Sequence, residues 1–247
     1  GPQVVEGWHG VPYGKPLVRT REYIEIMRKI FARAEPVAYD GKEYQIPYRG
    51  PGASGLGKPL RSILHGRADI PIVTATISPK GIELAAEVAD GFIPIWTSAN
   101  GLKTFEPMLG KGFAKAAPGK KRDGFEIMPF VNAIVHDDVA KCRDIVRPQI
   151  ALYVGGMGAR DKNFYNDHVS RQGWPDAARK IQDLYLAGQK NDAVAALPDD
   201  LCDAVCLLGP KERIRDQLGA WGESPATTLI LQGPNRKTMD TLAELCL

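Results

Sequence analysis

The chain has 247 residues, 44% of them apolar and 25% charged, and a formal net charge of +3 at pH 7. This is an ordinary globular composition, enough for one large α/β domain or two small ones, and the near-neutral balance argues against a strong polyanion partner. The densest basic cluster, Lys120-Lys121-Arg122, has no interleaved aromatics, which speaks against nucleic acid, and no apolar run approaches the ~18 residues of a membrane span.

Taken in order, Gly1 to Pro16 reads as a loop holding at most one helical turn. A helix follows from Thr20 to about Ala34, with Tyr23, Met27 and Ile30 on one stripe and Glu25–Lys29 as a favourable i,i+4 pair. Tyr39-Asp40-Gly41-Lys42-Glu43-Tyr44 predicts a hairpin turning at Asp-Gly. Residues 48–69 are rich in Gly and Pro and read as a long surface excursion. Strands are expected at 70–75 and 91–96 with a helix over Ser78–Ala89 between them, a βαβ unit. A weaker helix is expected near 102–117, a strand over Phe125–Val135 carrying Pro129, and a helix from Asp137-Asp138 that Pro148 kinks. Tyr153-Val154-Gly155-Gly156-Met157-Gly158 reads as a glycine-rich break, followed by helices near Ala177–Ala187 and Asp192–Leu197. Pro210 opens a last amphipathic helix bearing Ile214, Leu218 and Trp221, and Thr227–Leu231 is a final strand. The alternation calls for a parallel sheet with helices outside. About four core strands are visible, so an open sheet fits, and a barrel would need eight. The chain starts in loop sequence without an initiator Met, so its natural N-terminus is expected upstream.

The stretch that carries chemistry is Ala75-Thr76-Ile77-Ser78-Pro79-Lys80-Gly81. Ser78 is a good N-cap and Pro79 stands at the first helical position, where proline is tolerated best. The free N–H groups of that first turn, with the helix dipole behind them, make a ready site for an anion such as a cofactor phosphate; an ordinary strand-to-helix turn has the same local sequence. The four cysteines, Cys142, Cys202, Cys206 and Cys246, show no metal-ligand or CxxC spacing and read as thiols in a reducing cytoplasm. Cys202 and Cys206 would share one helix face if that stretch were helical. His9, His65, His136 and His168 are far apart and form no metal motif.

Five collinear segments carry a resemblance: Gly1-Pro2-Gln3-Val4-Val5-Glu6-Gly7-Trp8, Ala75 to Lys80, Ala89-Asp90-Gly91-Phe92, Leu152 to Gly158 with Asn163-Phe164-Tyr165-Asn166, and Leu208-Gly209-Pro210. Through them the chain resembles the bacterial luciferase-like superfamily, and within it the coenzyme F420-dependent oxidoreductases of actinobacterial type. The resemblance implies an α/β TIM (β/α)8 barrel of luciferase-like type, of which residues 1–247 form a single domain covering about the C-terminal two-thirds and lacking the N-terminal strands. Residues 153–200 would be a helical insertion within it, acting as a lid or as a dimer contact. It further implies cofactor binding by Gly1, Pro2, Gln3 and Val4 beside the ring and ribityl tail, and by Ala75, Thr76, Ile77, Ser78 and Pro79 around the tail and its phosphate. The implied cofactor is coenzyme F420, with FMN as the alternative; the implied partners are a small-molecule substrate and a second copy of the chain.

Three functions follow from the resemblance: hydride transfer between F420 and a small organic substrate, an FMN- and oxygen-dependent monooxygenase, and a non-catalytic flavin- or phosphate-binding relative. Two departures matter. Some relatives have Gly-Gly or Leu-Gly where this chain has Ile77-Ser78, and sugar-phosphate-oxidising relatives carry a catalytic Glu where this chain has Pro2, whose side chain cannot move a proton. No catalytic residue is assigned. His9, beside Trp8 and Glu6, is a candidate proton donor to the ring, or bonds loop backbone. Arg160, Lys162 and His168 are candidates for an anionic substrate or an acidic coenzyme tail, or lie on a solvated surface. Trp96 walls the pocket or packs in the core.

Overall fold

A computed structural model describes residues 1–246. The chain opens with a short helix α1 (Pro2–Gly7) and a long helix α2 (Pro16–Ala32), followed by the hairpin β1 (Tyr39–Asp40) and β2 (Gln45–Ile46). The central unit is β3 (Val73–Ala75), α3 (Pro79–Val88) and β4 (Gly91–Ile93), then α4 (Ala99–Lys103), α5 (Glu106–Phe113), β5 (Glu126–Ile127) and β6 (Phe130–Val135). Helix α6 (Val139–Ala151) runs into a π-helical turn (Leu152–Gly156), then α7 (Phe164–Arg171), α8 (Pro175–Leu186), α9 (Lys190–Ala195) and α10 (Asp199–Val205). Strand β7 (Cys206–Gly209), α11 (Lys211–Gly222), β8 (Ile230–Gln232) and α12 (Arg236–Cys246) complete it.

The core strands are parallel. β4 lies between β3 and β5, and β6 lies between β7 and β8. An Ile95–Phe130 bridge joins the two arrays. Among the described residues β3 and β8 pair with no second neighbour, so the parallel array is open.

Local chemistry accounts for the places where the elements depart from expectation. The strand expected over 125–135 divides at Pro129, which has no N–H for a ladder; its carbonyl accepts the Ile230 N–H at 3.0 Å, and the two halves pair with different neighbours. The strands around 70–75 and 91–96 shorten to three residues each because Pro71 and Pro94 also lack donors. Helix α2 begins at Pro16, not Thr20, because the Arg19 N–H already reaches the Lys15 carbonyl at 3.0 Å. The helix near 102–117 is two helices, with Ser98 capping the first through the Gly101 N–H at 2.9 Å. Residues 152–156 are a π-helical turn and no glycine break. Gly155 and Gly156 are required because α8 presses on them: a Cβ on Gly155 would stand 2.6 Å from Tyr185 Cβ, and one on Gly156 2.8 Å from Tyr185 Cδ1. Cys202 lies within α10 while Cys206 opens β7, so the two share no helix face.

Two apolar clusters hold these elements. One lies under α3, α5 and the sheet, around Ile82, Ala86, Phe92, Leu109 and Ile127. Gly112 lets α5 approach α3 closely, since a Cβ there would lie 2.6 Å from that of Ala86. The other joins α6 to α10, around Trp96, Ile150, Val154, Ile181 and Leu201. Two carboxylates, Asp90 and the buried Glu22, fasten the α2 side. Asp90 accepts the Ile72 N–H at 2.6 Å and pairs with Arg28. Glu22 accepts the N–H groups of Lys42, Glu43 and Tyr44 at 2.7–2.9 Å; burial pushes its carboxyl up, but those three bonds outweigh it and hold the group below its usual value.

Candidate functional site

A cavity of about 990 Å³ opens past the carboxyl ends of β3 and β4, where open α/β sheets bind ligands. The local chemistry at its floor was legible in the sequence. Ser78, in extended conformation, caps α3 by accepting the Gly81 N–H at 3.1 Å, and Pro79 follows at the first helical position. Gly81 is there for space, since a Cβ would collide with Thr76 Oγ1 and stand 2.8 Å from Ser78 Oγ. The helix start therefore presents its positive dipole end to the cavity.

All nine residues expected from the resemblance meet in this cavity: Gly1, Pro2, Gln3 and Val4 at the start of α1, and Ala75, Thr76, Ile77, Ser78 and Pro79 at the β3–α3 turn. The Tyr153–Gly158 segment joins them through Tyr153, Gly156, Met157 and Gly158. Lys162, a sequence candidate for an anionic ligand, also lies on the wall, whereas sequence reasoning did not single out the following residues for it. Tyr13, Leu17 and Thr20 come from the α1–α2 side, and Phe164, Tyr165, Asp167 and Arg171 from α7. An N-cap at Asn163 was the available signal for α7: its Oδ1 accepts the N–H groups of Tyr165 and Asn166 at 3.0 and 3.1 Å, and its amide donates to the carbonyls of Tyr153 and Val154 at 3.2 and 2.9 Å.

One side of the cavity is aromatic. Tyr153 and Tyr165 meet edge to face at 4.7 Å, and Trp96 backs Tyr153 at 5.8 Å. The charged residues of the wall are Lys80, which pairs with Glu83 at 3.0 Å, Lys162, Asp167 and Arg171. Arg171 Nη2 donates to the Ile77 carbonyl at 3.2 Å, one residue before the α3 cap; burial lowers its pKa, but a guanidinium remains charged. Lys162 Nζ stands 5.6 Å over the Tyr13 ring. Thr74, on β3, adds a buried hydroxyl with no hydrogen-bond partner among the described residues, a group that a ligand can satisfy.

The other candidates lie elsewhere. His9 is exposed and outside the cavity wall, and Glu6 accepts the Tyr13 N–H at 3.3 Å. Arg160 pairs with Asp183 on α8. His168 is neither surface nor substrate-facing: it is 1% exposed, its ring stacks on Phe105 at 5.9 Å, and Thr97 Oγ1 lies 2.8 Å from its Nε2. Burial, reinforced by the Arg171 charge, pushes its pKa down to about 3, so it is neutral. Trp96 is 1% exposed and belongs to the core. Burial also raises the Cys142 and Cys202 thiols, the latter to about 12, which makes them poor nucleophiles. Among the described residues no group of three or more His, Cys, Asp or Glu could hold a metal ion, and no helix is long and apolar enough to cross a membrane.

A parallel α/β array with a helix-capped cavity at its strand ends defines a class of small-ligand-binding folds. The comparisons narrow it: the family described as luciferase-like monooxygenase matches residues 1–228, and the chain belongs to that family. It is 38% identical over 246 residues to a putative coenzyme F420-dependent oxidoreductase of Mycobacterium tuberculosis, covering 99% of this chain and 71% of that protein. Among solved structures, it superposes with a TM-score of 0.73 on a coenzyme F420-dependent tetrahydromethanopterin reductase from Methanopyrus kandleri, at 18% identity, covering 99% of this chain and 70% of that one. An F420-dependent secondary alcohol dehydrogenase in complex with an F420–acetone adduct gives 0.70 at 16% identity, covering 97% of this chain and 64% of that one. At these identities the structures attest the α/β fold.

Proposed function

We propose that the protein is an oxidoreductase that transfers a hydride between coenzyme F420 and a small organic substrate. The observation that carries this is the convergence of the α1 start, the β3–α3 turn and the Tyr153–Gly158 segment on one cavity of about 990 Å³, in a chain 38% identical to a putative F420-dependent oxidoreductase. The residues fit such a cofactor. The Ser78-capped start of α3 receives a phosphate, and the Thr74 hydroxyl is an unused polar group on the wall. Gly1 to Val4 run beside the ring and its tail, and the Tyr153–Tyr165 pair offers an apolar face to an organic body. We read the open parallel array as part of a (β/α)8 barrel, with residues 153–200 inserted in it, and the protein as a homodimer.

When bound, a deazaflavin supplies hydride exchange at its C5 carbon. The chain's part is binding and orientation: backbone N–H groups and the helix dipole hold the anionic end, while the aromatic wall excludes water from the reacting face. Pro2 can move no proton, so the acid–base chemistry of sugar-phosphate-oxidising relatives is not carried over. The family description favours a second reading, FMN with molecular oxygen.

Titration of the complete protein with F420 and, separately, FMN, followed by cofactor fluorescence, tests the assignment. Preferential F420 binding with no oxygen uptake is the expected result. Preference for FMN with oxygen consumption moves the protein to the monooxygenase reading, and binding of neither leaves a non-catalytic relative.

A further inference from the structure

Helix α7 faces two ways. Arg171 reaches the cavity, while His168 and Gln172, one helical turn apart, face the segment that follows β4. Gln172 turns both ends of its carboxamide to that segment. Its Oε1 accepts the Ser98 N–H at 2.8 Å and the Ser98 hydroxyl at 3.3 Å, and its Nε2 donates to the Trp96 carbonyl at 2.7 Å. These partners fix the amide orientation, because a flipped amide would turn Oε1 onto a carbonyl. The second Nε2 proton then points at His168 Nε2, 3.0 Å away. The same His168 nitrogen lies 2.8 Å from Thr97 Oγ1, so the ring is held between Gln172 and the segment that follows β4. Trp96, at φ +52°, turns the chain so that its carbonyl, Thr97 and Ser98 all face α7. Packing leaves Gln172 no slack, since a Cβ on Gly101 would stand 3.0 Å from its Cδ.

The next residue back is Arg171, whose Nη2 meets the Ile77 carbonyl at 3.2 Å. Asn163 ties down the amino end of α7, and the Gln172–His168 clasp ties down the carboxyl end. We propose that Gln172 is a positioning residue for anion binding: by clasping Trp96 to Ser98 it holds the end of α7 so that Arg171 stands at the α3 N-terminus and recognises a phosphate-bearing ligand. This rests on the reading above that such a ligand occupies the cavity. The clasp is a pre-organisation device; it brings in a guanidinium from far along the chain without ordering it at the moment of binding.

The test is a double-mutant cycle with Gln172→Met and Arg171→Ala, reading the F420 dissociation constant and its salt dependence, with thermal melts alongside. Loss of a charge-assisted contact predicts about tenfold weaker binding for Arg171→Ala and about fivefold for Gln172→Met. Because Gln172 acts through Arg171, the double variant binds no more weakly than Arg171→Ala alone, and both single variants flatten the salt dependence. A purely structural role for Gln172 would give multiplicative losses and leave the salt slope of Gln172→Met at the wild-type value; either result overturns the proposal. Should Gln172→Met fail to fold, Gln172→Glu, which keeps the Ser98 acceptor and loses the donor to Trp96, takes its place in the same cycle. Wild-type binding of Arg171→Ala refutes this inference and leaves the α3 site standing, whereas wild-type protein that binds neither F420 nor FMN removes both.

Discussion

Replacing Ser78 by Asp separates helix capping from anion binding, because the two respond with opposite sign. Ser78 Oγ accepts the Gly81 N–H at 3.1 Å, and an Asp carboxylate does the same, Asp and Ser being about equal as N-caps. A negative charge there also gains about 0.3–1 kcal/mol from the helix dipole. In a chain of this size 1 kcal/mol corresponds to about 2–4 °C, so the melting temperature of Ser78→Asp is expected to equal or slightly exceed that of wild type. Ligand binding moves the other way. A carboxylate about 5 Å from a bound phosphate, at an effective dielectric of about 20–80, is repelled by about 1–3 kcal/mol, which is about five- to hundredfold in affinity. Ser78→Ala gives the contrast: it loses about 1 kcal/mol of capping but frees the Gly81 N–H, so it melts lower and binds within about threefold of wild type. The assay pairs differential scanning fluorimetry with cofactor fluorescence titration at low and high salt, and the Asp effect shrinks as salt screens it. A Ser78→Asp protein that binds cofactor as wild type does would refute the placement of the phosphate at α3.

Three further outcomes are expected. Gly81→Ala drives a methyl into Thr76 Oγ1 and should destabilise the protein by about 1–3 kcal/mol while weakening cofactor binding through the displaced turn, both measurable on one preparation; an unchanged melting curve would contradict the close approach. His168 has a folded pKa pushed down to about 3 from an ordinary 6.5, so between these values the unfolded chain binds the extra proton and stability falls as pH falls, at up to about 1.4 kcal/mol per pH unit. In urea melts, His168→Leu should therefore lose about 2 kcal/mol less than wild type between pH 7 and pH 5; equal losses would mean that His168 titrates freely. Of the four thiols only Cys246 is exposed, so native labelling with a maleimide, read by peptide mass, should modify Cys246 rapidly and Cys142, Cys202 and Cys206 only in denaturant.

What was legible in the sequence is what neighbouring residues decide. Ser78 with Pro79 marks the start of α3 and Asp138 that of α6, through side chains that reach their own first turn. The apolar stripes of α8 and α11 mark those helices. The β3–α3–β4 unit reads from its alternation of apolar run and helical period. Other elements carry no such local mark. All four residues of β7 are buried, so it shows no period of two. Helix α7 is polar along most of its length and shows no apolar stripe, yet His168 and Val169 on it are buried. Pro129 could be seen to cost one ladder bond, but not to hand the two halves of a strand to different partners.

The candidate site divides the same way. The sequence by itself determined a helix start able to face an anion, because capping, proline placement and the dipole are properties of one turn. Only the tertiary structure decided that the first four residues, the Tyr153–Gly158 turn and α7 would meet there. It alone set Arg171 against Ile77, 94 positions apart, and made His168 a buried neutral ring in place of a surface cation. Desolvation and long-range hydrogen bonds depend on what packs against a side chain, and no window of sequence contains that information.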